Sequence, residues 1–207
     1  MKPAQVSQHP LVQEKLARLR EKRTGVAEFR RLLNEIGALL FVEATAKLQV
    51  DSCKVSTPLA RADGVRLRHP ILLVPILRAG LPMADGALQL CPDAVIGCIG
   101  VRRNESNLQP ELYMDKLPPR LGRYDIFVFD PMLATGGTVL AAAQLLHQRG
   151  AREVSFVHIL GTPAGVRALQ SGYPQSQIVI AAIDRKLDHR GYIVPGLGDA
   201  GDRSFGG

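Results

Sequence analysis

Five short apolar runs rich in β-branched residues alternate with helix-like stretches from residue 71 onward, and this alternation constrains the fold more than any other feature. Continuous apolar strands separated by helices are typical of a parallel sheet whose two faces are both covered. The sequence therefore predicts an α/β fold with a central, mostly parallel sheet flanked by helices. The strand-like runs are 71–76, 94–101, 125–130, 154–160 and 177–184, and the helices predicted between them are 81–90, 136–149 and 163–170.

The chain before this alternation, and one segment within it, follow other patterns. An amphipathic helix is predicted from the spacing of Phe29, Leu32, Leu33, Ile36 and Leu40, and a shorter helix from Val12, Leu16 and Leu19. Residues 51–70 lack clear periodicity, so we expect irregular structure or short strands there. The polar segment 102–120 contains three prolines and is predicted to form a hairpin or a mobile flap.

Composition limits the classes of function. A chain of 207 residues fits one sizeable core, so we treat residues 1–207 as a single domain. The net charge is +7, but the basic residues are spread along the chain and aromatic residues make up only 5%. This distribution disfavours a nucleic-acid surface and favours a small anionic ligand. The apolar runs are too short to span a bilayer, no secretion signal is visible, and three cysteines without CxxC spacing indicate a reduced, cytoplasmic protein.

The stretch VFDPMLATGGTVLAAA, residues 128–143, is predicted to form a strand, a loop and a helix. Gly136 and Gly137 allow the backbone to turn so that successive N–H groups converge with the N-terminus of the helix. This arrangement binds phosphate, and Thr135 and Thr138 add hydroxyl groups. An ordinary strand-to-helix turn is the alternative interpretation.

Asp130 stands at the end of the strand that leads into this loop. The loop lacks the lysine of a nucleoside-triphosphate P-loop and does not match GxGxxG. A carboxylate beside a monophosphate site can accept hydrogen bonds from two neighbouring hydroxyl groups. Phosphate and diol together indicate ribose 5-phosphate as the ligand.

At this point the residues resemble a known family. DPMLATGGT is similar to the phosphoribosyl pyrophosphate (PRPP) loop of phosphoribosyltransferases, in the form found in uracil phosphoribosyltransferases. Further matches are VPILRAGL (74–81), RNE (103–105) and GYIVPGLGDAGDRSFG (191–206). The resemblance implies a type I phosphoribosyltransferase fold with N-terminal helices, a flap and a C-terminal hood that binds the base.

The resemblance also implies which residues contact PRPP. Arg78 follows a strand and is matched to a pyrophosphate ligand in a loop that often contains a non-prolyl cis peptide, although a surface arginine is the alternative interpretation. Arg103 approaches from the flap, and Asp199 acts through Mg²⁺ or its water. Together with Asp130, these are the predicted catalytic residues. The loop contacts are Asp130, Pro131, Met132, Leu133, Ala134, Thr135, Gly136, Gly137 and Thr138.

The C-terminal stretch GYIVPGLGDAGDRSFGG is predicted to be an ordered loop whose backbone faces a ligand, with a disordered tail as the alternative. The edge of uracil alternates acceptors and a donor, which a fixed backbone can match without charged side chains. The resemblance implies that uracil lies against Ile193, Gly198, Asp199 and Ala200.

The implied reaction joins uracil to PRPP and yields UMP and diphosphate, a step of pyrimidine salvage that uses Mg²⁺. A transferase for another base is a rival enzyme. A pyrimidine-sensing, RNA-binding regulator on the same fold is the alternative from another class of function. The family also implies a homo-oligomer, a dimer or a larger assembly. Some members are activated by GTP, but the sequence assigns no residue to a GTP site.

Overall fold

The computed structural model describes residues 2–103 and 110–206. In these two ranges the helices are α1 (Pro10–Arg20), α2 (Val26–Thr45), α3 (Leu81–Leu90), α4 (Gly137–Gln148), α5 (Pro163–Gly172) and α6 (Ala200–Phe205). The strands are β1 (Gln5–Val6), β2 (Val50–Ser56), β3 (Arg61–Leu67), β4 (Ile71–Leu77), β5 (Val95–Ile96), β6 (Cys98–Arg103), β7 (Pro110–Lys116), β8 (Asp125–Phe129), β9 (Met132–Leu133), β10 (Val154–Gly161), β11 (Gln177–Ile183), β12 (Lys186–Leu187) and β13 (Ile193–Val194).

The central sheet is mostly parallel, as predicted. Its strands follow the order β1, β11, β10, β8, β4, β6, β7, with β5 beside β4 and β9 beside β10. The pairings within this sheet are parallel except that of β7 with β6, which is antiparallel. The α/β prediction is therefore confirmed.

Helices cover both faces of this sheet, which explains why its inner strands β4, β8, β10 and β11 are continuously apolar. Alternate residues of β4 point to opposite faces, so Leu73 enters one core and Leu72 the other. The first core is closed by α1, α2 and α3, and the ring of Phe41 packs edge-on against Phe127 at 5.0 Å. The second is closed by α4 and α5. Burial of each large apolar side chain in these two cores contributes about 1.5–3 kcal/mol to the stability of the fold.

The structure divides one predicted strand in two and decides between the alternatives for a second segment. Residues 94–101 form two strands, β5 and β6, with a break at Gly97. The register on either side of the break places Gly97 opposite Val74, next to Pro75, which has no N–H to donate to a sheet. Of the two alternatives expected for residues 51–70, irregular structure or short strands, the structure has the strands, since β2 and β3 form a regular antiparallel hairpin. Its residues are exposed on both faces, so no buried face imposes an apolar periodicity on the sequence.

Other predictions agree closely with the structure. The helix predicted over 81–90 is α3, and the amphipathic pattern of the first third corresponds to α1 and α2. Strands β6 and β7 form an antiparallel pair, as a hairpin at 102–120 requires, while residues 104–109 lie outside the described residues. In the two described ranges, no helix is both long and apolar enough to cross a membrane.

Candidate active site

Three of the predicted site residues lie at the carboxyl ends of adjacent strands. Asp130 follows β8, Arg78 follows β4, and Arg103 is the last residue of β6. Because β8, β4 and β6 are parallel neighbours, these ends share one edge of the sheet. Ligands of open α/β sheets bind beyond this edge.

The loop after β8 is fixed by hydrogen bonds that its backbone carbonyl groups accept from β10 and from Thr162. The carbonyl of Pro131 accepts hydrogen bonds from the N–H groups of Ile159 (3.1 Å) and Leu160 (2.9 Å) in β10. Thr162, which caps α5, donates its hydroxyl to the carbonyl of Ala134 at 2.7 Å, and its N–H to the carbonyl of Leu133 at 3.0 Å. These bonds fix residues 131–134, none of which has a polar side chain.

The upper part of the loop leads directly into α4. Gly136 is the residue before the helix, with φ +91°, and as a glycine it has no side chain with which to cap the first turn. Thr135 and Thr138 are exposed, and the Thr135 hydroxyl accepts a long hydrogen bond (3.4 Å) from the N–H of Gly137. A helix N-terminus with exposed hydroxyl groups beside it offers hydrogen-bond donors and a positive dipole end to an anion.

Asp130 is buried, with only 8% of its surface exposed. Burial raises the pKa of its carboxyl group to about 7, and this exceeds the opposing effect of the hydrogen bond from the N–H of Met132 (3.3 Å). Nδ1 of His158 lies 2.6 Å from the backbone carbonyl oxygen of Asp130. The carboxyl group therefore stands in an apolar setting where a hydrogen-bond donor from a ligand would stabilise its ionised form.

Arg78 is exposed at the tip of the loop after β4. The peptide bond between Leu77 and Arg78 is cis, as the family resemblance implies. The guanidinium carbon lies 5.4 Å from the ring centre of Phe205 in α6. This cation–π contact places Arg78 between the sheet edge and the C-terminal helix.

The predicted flap arginine is only partly described. The backbone of Arg103 ends β6, where it is paired with Pro110 of β7. Its side chain, like residues 104–109, lies outside the described residues. The predicted contact of Arg103 with PRPP stays a prediction.

The C-terminal segment is ordered and carries the four residues matched to uracil binding. Ile193 and Ala200 are buried, whereas Gly198 (φ +80°) and Asp199 are exposed. Oδ1 of Asp199 accepts the N–H of Asp202 at 2.8 Å and caps α6. The segment thus forms a fixed turn with exposed main chain, and the alternative of a disordered tail is wrong for the described residues.

The comparisons with known proteins cover almost the whole chain. The family model described as uracil phosphoribosyltransferase matches residues 6–207. The chain belongs to the uracil phosphoribosyltransferase family. The uracil phosphoribosyltransferase of Dictyoglomus thermophilum is 48% identical over 202 residues, which is 97% of this chain and 98% of that protein. That of Macrococcus caseolyticus is 46% identical over 207 residues, covering 100% of this chain and 99% of that one.

Two solved structures share the fold of this chain. A protein from Aquifex aeolicus superimposes with a TM-score of 0.93 at 34% identity, covering 98% of each chain. A hypoxanthine-guanine phosphoribosyltransferase from Bacillus anthracis has a TM-score of 0.51 at 11% identity, over 91% of this chain and 85% of that chain. The second likeness extends to the fold alone and confirms a type I phosphoribosyltransferase architecture.

Sequence reasoning missed the residues that support this site. His158 is fully buried in β10, and its contact with the backbone carbonyl of Asp130 follows no sequence pattern. Thr162 was not singled out, although Thr-Pro at the start of α5 is a recognisable helix-capping signal. Arg20 and Asp184 lie 164 positions apart, and no local pattern connects them.

Proposed function

We propose that this protein transfers the 5-phosphoribosyl group of PRPP to N1 of uracil and releases UMP and diphosphate. The observation that supports this most strongly is the convergence at one sheet edge of a buried lone carboxylate, Asp130, with a helix N-terminus whose N-cap residue is a glycine. The first suits a ribose diol and the second a 5-phosphate. Membership of the uracil phosphoribosyltransferase family supports uracil as the base. The comparisons give no support to the RNA-binding alternative.

In this proposal, residues 130–138 hold the phosphoribosyl group. The N–H groups of Gly137 and Thr138 and the hydroxyls of Thr135 and Thr138 bind the 5-phosphate. The Asp130 carboxylate accepts hydrogen bonds from the two ribose hydroxyl groups. Because the loop is fixed by β10 and by Thr162, it presents C1 of the sugar in one orientation. Positioning of this kind supplies a large part of catalysis.

Departure of diphosphate requires positive charge on its side of C1. Arg78 lies on a strand end adjacent to that of Asp130, and we propose that it and Arg103 bind the leaving group. As positive charge develops on the sugar and negative charge on diphosphate, preorganised cations lower the barrier. Uracil N1 then bonds to C1 from the opposite face, while the bond from C1 to diphosphate breaks and the N1 proton leaves to water or to diphosphate.

Mg²⁺ fits this site as a partner of PRPP. In the described ranges, no three acidic, histidine or cysteine side chains form a group that could hold a metal ion. Mg²⁺ commonly takes one or two carboxylates and completes its shell with phosphates and water. Among the described contacts of the Asp199 carboxylate, only Oδ1 is engaged, so Oδ2 is a candidate ligand through water. When bound, Mg²⁺ would neutralise charge on the diphosphate.

A product assay tests the proposed reaction. The purified protein is incubated with PRPP, Mg²⁺ and one of uracil, cytosine, hypoxanthine or orotate, and the nucleotide is identified by chromatography and mass spectrometry. We expect UMP from uracil and no nucleotide from the other bases. Asp130→Ala and Asp199→Ala should fold and lose most of this activity. Formation of no nucleotide from any base, despite PRPP binding, would contradict the proposal.

We also propose that the protein is a homo-oligomer in which the β2–β3 hairpin contacts a second copy of the chain. Val50, Val65 and Leu67 share one face of this hairpin and are all exposed, and Leu59 at its tip is 97% exposed. Apolar side chains gathered on a projecting hairpin are typical of a protein interface. Light scattering should give at least a dimer for the natural sequence and a monomer for Leu59→Asp/Val65→Asp, and a monomeric natural protein would contradict this.

Two further properties stay predictions. Activation by GTP is implied by the family resemblance alone, and titration of GTP into the UMP assay at subsaturating PRPP tests it. A cytoplasmic location is expected from the three cysteines, which are unpaired in the structure.

A further inference from the structure

A part-buried ion pair joins the last residue of α1 to the segment after β11. Nη1 and Nη2 of Arg20 lie 2.7 and 2.8 Å from Oδ2 and Oδ1 of Asp184, a bidentate arrangement. The two side chains are 24% and 8% exposed. Burial works against ionisation of Asp184, but hydrogen bonds from Arg20 and Gly196 hold its pKa below the usual range. The pair therefore stays charged at neutral pH.

The same two side chains hold both polar backbone groups of Gly196. Its N–H donates to Oδ2 of Asp184 at 2.9 Å, and its carbonyl accepts from Nη1 of Arg20 at 2.9 Å. Gly196 has φ +61°, and a Cβ there would lie 1.9 Å from the carbonyl oxygen of Ile193. The tight turn at Gly196 thus requires glycine, and the ion pair fixes it from outside. The turn lies between Ile193 and Gly198, two of the residues assigned to uracil.

A second set of contacts joins α1 to this segment. Arg203 of α6 donates hydrogen bonds to the carbonyls of Leu197 (2.8 Å), Leu19 (2.9 Å) and Glu21 (2.6 Å). Its guanidinium carbon lies 4.4 Å from the ring centre of Phe29 in α2. The end of α1 is therefore attached to the C-terminal segment on both sides of Gly198.

We propose that Arg20 and Asp184 are positioning residues for base recognition, which act by setting the main-chain conformation of residues 193–200. This inference rests on the proposed function, because it assumes that uracil binds to this segment. Recognition through backbone groups depends on their placement to within about 0.5 Å, and no flexible side chain compensates for an error. Neither residue belongs to the loop at 130–138, and Asp199, which we assign to PRPP through Mg²⁺, is held separately by its hydrogen bond to Asp202 in α6. Loss of the pair should therefore weaken uracil binding far more than PRPP binding.

Steady-state kinetics with both substrates varied separate this role from a general structural one. The variants are Arg20→Gln, Asp184→Asn and the double variant, with Arg20→Lys as the conservative change. Arg18→Gln is the matched control, because Arg18 lies on the same helix and is ion-paired with Glu14 and Glu28 at the exposed surface. Lysine keeps a positive charge beside Asp184 but cannot donate the forked bonds of arginine. Because the charge is kept, we expect Arg20→Lys to fold even if Arg20→Gln does not.

We expect each single removal to raise KM for uracil about tenfold and to leave KM for PRPP within about twofold. The double variant should be no worse than the more impaired single variant, because the two residues act as one unit. Arg20→Lys should have an intermediate effect and Arg18→Gln none. Equal increases in both KM values, or an unchanged KM for uracil in folded variants, would overturn the inference.

Amide-hydrogen exchange tests the positioning without any substrate. Arg20→Lys and Arg20→Gln should accelerate exchange in residues 193–200 and leave residues 130–138 unchanged. Unchanged exchange in both segments would overturn the inference. If the natural protein makes no UMP, the proposed function fails, whereas the exchange pattern still decides whether the ion pair fixes this segment.

Discussion

Nδ1 of His158 lies 2.6 Å from the carbonyl oxygen of Asp130, the residue that opens the loop that we propose binds phosphate. Because a carbonyl oxygen only accepts hydrogen bonds, Nδ1 carries the hydrogen. Burial lowers the pKa of His158 to about 4, although the bond to Asp130 opposes this, so the ring is neutral at pH 7. A neutral histidine in β10 thereby fixes the backbone of the residue whose carboxyl group we assign to the ribose.

Replacement of His158 by phenylalanine should weaken PRPP binding and destabilise the protein. Phenylalanine fills the space of the ring but leaves the carbonyl of Asp130 without its donor. The free energy of unfolding should fall by about 1–3 kcal/mol, the cost of a buried unsatisfied group. Urea unfolding measures this change, and calorimetric titration should show several-fold weaker PRPP binding.

His147→Phe is the matched control for this substitution. His147 lies in α4, where its ring stacks on Tyr173 with centres 4.7 Å apart. Phenylalanine preserves that stacking, so neither stability nor PRPP affinity should change appreciably. If His158→Phe bound PRPP as tightly as the natural protein does, the proposed support of Asp130 would be wrong.

Asp130→Asn should stabilise the protein at high pH. In the unfolded chain an aspartate ionises near pH 3.9, whereas burial raises the pKa of Asp130 to about 7 in the folded protein. Folding therefore favours the protonated carboxyl group, and this contribution to stability is complete below about pH 4 and is lost as the pH rises through 7. Asparagine stays neutral throughout.

The stabilising effect of Asp130→Asn should therefore depend on pH. The difference in unfolding free energy between this variant and the natural protein should increase by about 2–3 kcal/mol from pH 5 to pH 8. Urea unfolding of both proteins at the two pH values measures it. A difference that does not change with pH would contradict the raised pKa.

PRPP affinity should also depend on the ionisation of Asp130, but it should increase with pH, whereas the stability contribution decreases. Only ionised Asp130 can accept hydrogen bonds from both ribose hydroxyl groups, so binding should be about tenfold weaker at pH 6 than at pH 8. Calorimetric titration at both pH values measures this effect. The phosphates of PRPP titrate in the same range, and Asp130→Asn corrects for them because it experiences the same ligand. An equal pH dependence in the variant would contradict the role of Asp130.

The sequence was sufficient to predict the sheet because each strand carries its own signal. Both faces of β4, β8, β10 and β11 are buried, so each is a continuous apolar run. The loop after β8 could also be predicted from the sequence, because a tight turn into a helix restricts the residue types at adjacent positions. By contrast, the β2–β3 hairpin is exposed on both faces, and the physical signal of periodicity is absent from it.

The contacts that hold the site together could not be predicted from the sequence. Arg20 and Asp184 are an unremarkable arginine at a helix end and an aspartate after a strand until the fold brings them to 2.7 Å. His158 has the pattern of any buried strand residue. Such partners are specified by tertiary geometry, and single-sequence patterns contain no information on which distant residues meet.

Gly136→Ala and Gly150→Ala form a matched pair that tests the proposed binding of phosphate by the loop. Both glycines flank α4 and have positive φ, +91° and +87°, so alanine is strained at either position by about 1 kcal/mol. A Cβ at Gly136 would also lie 3.1 Å from Cβ of Ala168, whereas nothing lies within 4 Å at Gly150. Both variants should therefore lose stability, Gly136→Ala slightly more.

Only Gly136→Ala should raise KM for PRPP, by about tenfold or more, because it rotates the N–H groups that open α4. An equal rise in Gly150→Ala would show that strain, and not loop geometry, limits PRPP binding.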